Sequence, residues 1–193
     1  MKQRSIRSSF PLATLLLAAA AVLVSFAAGG ARAQDGGSID RAVAVLMPTE
    51  GNAIQGVIFF TQEGDSVHLQ GEVRGFAPGT THGFHIHEYG DLRDPRGESA
   101  GGHYNPEGHP HAGPMAAMRH AGDFGNITAG GDGVAKIDWM LGGFSISGPK
   151  NAILGRGVVV HANPDDLKSQ PSGNAGPRVA VGVIGVANPA VKG

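Results

Sequence analysis

The 193-residue chain contains no cysteine. That excludes disulfide staples, thiolate metal ligands, a cysteine nucleophile and a lipid-bearing cysteine. A small exported domain without cysteine must order its loops by core packing, hydrogen bonds or metal binding. Aromatic residues make up only 6% of the chain, with one tryptophan, and charged residues only 16%. Beyond residue 33 no stretch carries apolar residues at helical spacing, which argues against a helical bundle. The 32 glycines suit tight turns and bends instead. No internal repeat is present.

The one long apolar run, Phe10 to Ala28, lies at the N-terminus. Lys2, Arg4 and Arg7 precede it, and Ala31-Arg32-Ala33 follows. This order of a basic region, an apolar region and an A-x-A site is that of a secretory signal peptide over residues 1–33. A retained membrane anchor is the competing reading, because the run is nearly long enough to span a bilayer. The small residues from Ala27 to Ala33 favour cleavage. Residues 34–193 then form one exported domain, periplasmic or extracellular, with no membrane association after cleavage. Residues 1–33 hold four of the fifteen Lys and Arg and no acid, so eleven basic residues face sixteen acidic ones in the remainder. That sign argues against a nucleic-acid partner. A small anionic substrate would need a local positive path through a mildly negative field.

Short β-type runs follow: Ala42–Leu46, Ile54–Phe60, Val67–Val73 and Gly83–Glu88. After a gap come Phe124–Thr128, Val134–Trp139, Gly157–His161 and Arg178–Val186. In the third run Val67, Leu69, Gly71 and Val73 share one face and His68, Gln70, Glu72 and Arg74 the other, the pattern of a strand with one wet face. Two segments, 89–119 and 162–177, are rich in Gly, Pro and polar residues and have no period. Loops this long inside a compact domain are functional or disordered. Eight or nine short strands predict an all-β antiparallel sandwich or barrel.

All nine histidines lie beyond residue 33. His85 and His87 are two apart in a strand run, so their rings point to one side and can meet one ion. By itself this pair also fits two polar residues on a wet face. His103, His111, His120 and Asp123 offer three imidazoles and a carboxylate, a closed tetrahedral set suited to structural Zn²⁺. His161 closes the strand Gly157–Val160, and its ring is expected at a sheet edge beside a loop. His82, at odd spacing from His85 and His87, reads as a structural hydrogen-bonding residue and His68 as solvated; His109, two residues from His111, could compete with it as a ligand but is not the favoured choice.

Five segments in order resemble those of copper/zinc superoxide dismutases. They are GFHIHEYGD (Gly83–Asp91), AGGHYNP (Ala100–Pro106), RHAGDFGN (Arg119–Asn126), GRGVVVHANPDDL (Gly155–Leu167) and SGNAGPRVAVGVIGVA (Ser172–Ala187). The resemblance, to an exported bacterial-type member lacking cysteines, covers Ala42 to Ala187. It implies an eight-stranded Greek-key β-barrel, flattened like a sandwich, with two long functional loops. It implies copper on His85, His87 and His161, and His103 bridging copper and zinc. His111, His120 and Asp123 would complete the zinc site. Asp165 would hydrogen-bond one histidine of each site, and Arg178 would guide and hold the anion. The implied reaction is dismutation of superoxide to O₂ and H₂O₂ by copper cycling between Cu(II) and Cu(I), with His103 as proton donor. One copper and one zinc ion per subunit are implied.

The sequence departs from the family pattern in three places. The paired cysteines correspond to positions near Gly97 and at Val181. The second loop has only sixteen residues between His161 and Arg178. Lys168 is its one candidate for steering the anion, with Asp165 and Asp166 beside it. A homodimer is compatible with the family, and its surface is not readable from sequence. Two other readings stay open at this level: an exported copper/zinc-binding buffer protein without turnover, and a copper-only dismutase.

Overall fold

The computed structural model describes residues 38–191. The signal-peptide expectation for residues 1–33 lies outside them. The strands are β1 Arg41–Pro48, β2 Gln55–Glu63, β3 Ser66–Arg74, β4 Thr81–His87, β5 Asp123–Thr128, β6 Val134–Gly142, β7 Gly157–His161 and β8 Arg178–Val186. Among the described residues the one helical piece is a 3₁₀ turn at Glu98–Ala100. All eight expected runs are strands. No helix among the described residues is long and apolar enough to cross a membrane.

The strands follow the order β5-β4-β7-β8-β1-β2-β3-β6, each antiparallel to its neighbours. No ladder joins β5 to β6 among the described residues, so the barrel is nearly closed, with its seam there. The β3–β4 and β6–β7 connections each cross to a non-adjacent strand, the Greek-key pattern. Alternation in each strand supplies the core: Leu46, Ile58, Phe60, Leu69, Phe84, Ile86, Ile137 and Val160 are among its buried residues. His68, expected to be solvated, instead bridges strands, with Nε2 2.6 Å from Asp138 and Nδ1 3.4 Å from Glu63. Asp138 stands on β6, next to β3, so the pair could not be read from β3 alone.

β4 turns Phe84 and Ile86 to the core and His85 and His87 to the opposite face. That face is not wet, because both long loops roof it and His85 and His87 are buried. β7 is flanked by β4 and β8. His161 therefore emerges on the roofed face of a central strand, not at a sheet edge as expected.

Two register shifts bring further residues to this face. β4 pairs Gly83 with Asn126 but His85 with Asp123, two steps on β4 against three on β5. Gly125, at φ 81°, sits in this bulge. Without it Asp123 and Asn126, three apart, would point to opposite sides. With it both join His85, while Phe124 packs toward Phe84. Likewise β7 pairs Val160 with Ala180 but His161 with Arg178, so Val179 is the extra residue and Arg178 joins His161. Bulges commonly re-aim side chains beside active sites in this way.

The loop 88–122 is held without a disulfide. A Cβ built on Gly97 would lie 2.7 Å from Val181 Cγ1, so Gly97 packs directly against Val181, whose side chain fills the space between loop and barrel. Ala100, Val159 and Val181 form a small apolar cluster beneath the loop. Three arginines add carbonyl contacts. Arg178 donates to Gly97 O and Gly101 O, Arg156 to Glu88 O at 2.6 Å, and Arg119 to Gly142 O at 2.6 Å. Arg156 also lies 4.1 Å over the Tyr104 ring, a cation–π contact that ties the loop to the β6–β7 connection.

Candidate metal centre

Two sets of buried side chains converge on the roofed face. His85, His87, His103 and His161 form one, and His103, His111, His120 and Asp123 the other. In each set the nearest ligand atoms all lie within 4.8 Å of one another. His103 belongs to both.

Hydrogen bonds fix which nitrogen each ring offers in the first set. His87 Nδ1 donates to Gly101 O at 2.8 Å and His161 Nδ1 to Gly176 O at 2.9 Å. Their Nε2 atoms then carry lone pairs, and these stand 3.3 Å apart. His85 Nε2 meets Asp165 Oδ2 at 2.9 Å, which leaves Nδ1 free. Lone pairs gathered this closely in a dry site repel unless a cation lies among them. Imidazole nitrogens of this kind suit copper.

In the second set His103 Nδ1 and His111 Nδ1 each lie 2.9 Å from Asp123 Oδ1, and His120 Nδ1 lies 3.2 Å from it. Asp123 Oδ2 accepts from the backbone N–H of Ala112 and His120, leaving Oδ1 for the cluster. Ligands about 2.0–2.2 Å from Zn²⁺ in a tetrahedron stand roughly 3.3–3.6 Å apart. The observed edges are that figure drawn in by a few tenths of an ångström. Among the described residues three buried side-chain polar atoms lack a hydrogen-bond partner: His85 Nδ1, His103 Nε2 and His120 Nδ1. Buried polar atoms are rarely left unpaired, and all three face these two clusters. The donor sets fit a copper and a zinc ion.

Asp165 ties the sets together, with Oδ2 on His85 and Oδ1 on His111 Nε2 at 3.0 Å. Such outer carboxylates orient ligand rings. Asn126 grips the Asp165 backbone at both N–H (2.7 Å) and C=O (2.9 Å). Gln170 does the same for His111, at 2.8 Å each. Gly173 is required at its position: a Cβ there would fall 1.7 Å from Asp165 Oδ1. Sequence reasoning missed Asn126, Gln170 and Gly173 as supports. Asn126 had a signal, as the last residue of RHAGDFGN, whereas nothing near Gln170 points to His111. His109 joins neither set; its Nδ1 donates to Arg119 O at 3.2 Å. His82 is structural as expected, bonding His161 O at 2.8 Å and stacking on Phe76.

A cavity of ≈ 480 Å³ opens onto the first set, lined by His87, His103, His161, Arg178, Glu88 and Glu98. Arg178 Nη2 lies 3.8 Å from Glu98 Oε2. Lys168 is not among the lining residues.

The chain matches the family model described as copper/zinc superoxide dismutase over residues 54–184. The chain belongs to the copper/zinc superoxide dismutase family. It is 46% identical over 154 residues to an extracellular Cu-Zn superoxide dismutase of Brugia pahangi, covering 75% of each chain. The crystal structure of the clock protein EA4 superposes with a TM-score of 0.70 at 42% identity, covering 78% of this chain and 96% of that one. The protein is therefore an oxidoreductase that dismutates superoxide, with copper and zinc as cofactors. This decides against a buffer protein without turnover, and the complete second set decides against a copper-only enzyme.

Burial shapes the protonation of the metal-free centre. Desolvation, aided by neighbouring rings, depresses His161 to about 3. It also depresses His103, to about 4, against the pull of Asp123. His85 and His87 are lowered for the same reason. For His111 desolvation is outweighed by Asp123 and Asp165 together, which raise it to about 9. The unfolded chain takes up protons on histidine below about pH 6.5, whereas folded His103 and His161 do not until about 4 and 3. Their contribution to stability is thus intact above pH 6.5 and lost as pH falls toward 4, by at most about 1.4 kcal/mol per group per pH unit. His111 acts in the opposite sense, its contribution being lost as pH rises through about 9. The metal-free protein should therefore melt at steadily lower temperature from pH 6.5 to 5. A flat or rising Tm over that window would contradict the burial of neutral rings.

Proposed function

We propose that His85, His87, His103 and His161 hold copper, and that His103, His111, His120 and Asp123 hold zinc. Asp165 couples the two sites, and Arg178 receives the superoxide anion. The observation that carries this reading is the His103 ring, which offers Nδ1 to one set while its buried Nε2 faces the other without a partner. When bound, copper supplies one-electron chemistry between Cu(II) and Cu(I), which zinc lacks. The protein's own part is positional and electrostatic. Arg178, fixed by Gly97 O and Gly101 O, presents a guanidinium to the cavity that contains His87, His103 and His161. Burial lowers its pKa, yet arginine stays charged. His103 Nε2 is the atom placed to pass a proton to the anion. Asp123 and Asp165 keep the rings aimed while that happens.

Residues 1–33 act as a cleaved leader and residues 34–193 as the exported enzyme, with periplasm or extracellular space set by the host envelope. Purified protein exported by its host should begin at Gln34, hold one copper and one zinc per chain, and remove superoxide far faster than the two ions free in buffer. Protein loaded with both metals but no faster than those ions would defeat the assignment of roles.

A second copy of the chain is the partner we assign to the β1/β8 face. Val45, Met47 and Val183 are 53%, 57% and 36% exposed there. Contiguous exposed apolar residues of this kind mark interfaces. Light scattering should report a dimer for the native protein and a monomer for Val45→Asp/Val183→Asp. A monomeric native protein at micromolar concentration would remove the assignment.

A further inference from the structure

We propose that Met115, Met140 and His109 form a second copper-binding site, selective for Cu(I), on the outer wall of the zinc loop. All four methionines among the described residues are exposed: Met47, on the β1/β8 face, by 57%, and Met115, Met118 and Met140, on and beside the zinc loop, by 91%, 63% and 51%. Methionine is ordinarily a buried residue, and nothing in the core requires these outside. Met115 comes from the loop and Met140 from β6, yet both line one surface cavity of ≈ 330 Å³ with His109. Met118 follows three residues after Met115.

The chemistry of the lining selects the ion. Thioether sulfur is a soft, neutral donor that favours Cu(I) over zinc or hard divalent ions. His109 is already oriented as ligating histidines are: Nδ1 donates to the Arg119 carbonyl, and Nε2 has no hydrogen-bond partner in the described structure. Arg119 and Lys150 also line the cavity. Their charge disfavours a divalent cation more than a monovalent one, which sharpens the preference for Cu(I). Glu107 Oε2, 3.6 Å from His109 Nδ1, offsets part of it. The location has a use. Arg119 and Ala121 line this cavity, while the intervening His120 lines the one that contains Arg178. One short segment thus separates the two, so an ion held here waits beside the enzyme's own copper site.

The test uses the holoenzyme with its copper and zinc sites filled. Ag(I), a redox-inert stand-in for Cu(I), is titrated by calorimetry while methionine methyl resonances are followed. One further equivalent should bind, with Met115 and Met140 methyl shifts moving together. Met115→Leu/Met140→Leu, nearly volume-conserving at exposed positions, should weaken that binding at least tenfold. His109→Gln should weaken it independently, and both variants should keep wild-type dismutase activity. Zn²⁺ should not occupy the site. The proposal is overturned if the holoenzyme takes up no further Ag(I), if the leucine variant binds it as tightly as wild type, or if Zn²⁺ competes for it.

Discussion

Asp123→Ala should strip zinc from the protein while copper remains, and should lower stability by about 3–5 kcal/mol, the usual cost of removing one partner from a buried charged set. Asp123 Oδ1 is the common point for three imidazole nitrogens, and Oδ2 anchors the backbone of Ala112 and His120. Its carboxyl is held far below the usual range: burial raises it, but the three histidines and these backbone donors more than reverse that. Deleting it leaves His103, His111 and His120 without their shared acceptor and frees the loop that bears all three. Metal analysis of the purified variant, with thermal melting of metal-free protein, measures both effects. Full zinc occupancy in Asp123→Ala would refute the zinc assignment outright.

Arg178→Ala should reduce the superoxide rate roughly 10–100-fold, within the range over which local fields alter association rates, while both metals stay bound. The wild-type rate should fall as salt rises, because a cationic mouth attracting an anion is screened. In the variant that dependence should flatten. The rest of the cavity makes this residue decisive: Glu88 and Glu98 also line it, and Lys168 does not. Arg178 has a structural role too, through Gly97 O and Gly101 O. Arg178→Lys separates the two contributions. Lysine keeps the charge without the planar fork, so it should restore salt dependence more fully than the absolute rate. If Arg178→Ala retains both the wild-type rate and its salt response, the arginine is only a loop staple.

The residues behind these two effects were legible in the sequence to different degrees. Val67, Leu69 and Val73 announce a half-buried strand by alternation, and the structure buries all three. His85 and His87 share a face for the same reason. The grouping of His103, His111, His120 and Asp123 was readable as ligand chemistry, and the order of five motifs supplied the proposed roles. Alternation fails for the remainder. Asp123 and Asn126, or Arg178 and Val181, are three apart in strands, so a period of two places them on opposite sides. Likewise His68 reads as solvated until β6 brings Asp138 to within 2.6 Å. Gln170, fifty-nine residues from His111, clamps it through contacts that no local pattern encodes.

By itself the sequence determined the strand content, the candidate ligand side chains and the absence of a disulfide, because each depends on residue type and short-range spacing. Only the tertiary structure decided that the polar face of β4 is dry, that Gly97 packs against Val181, and that Asp123 and Arg178 turn to the face that carries His85 and His161. Those outcomes depend on two bulges and on loops closing over a barrel. Both are settled by non-local packing, which a one-dimensional pattern does not contain.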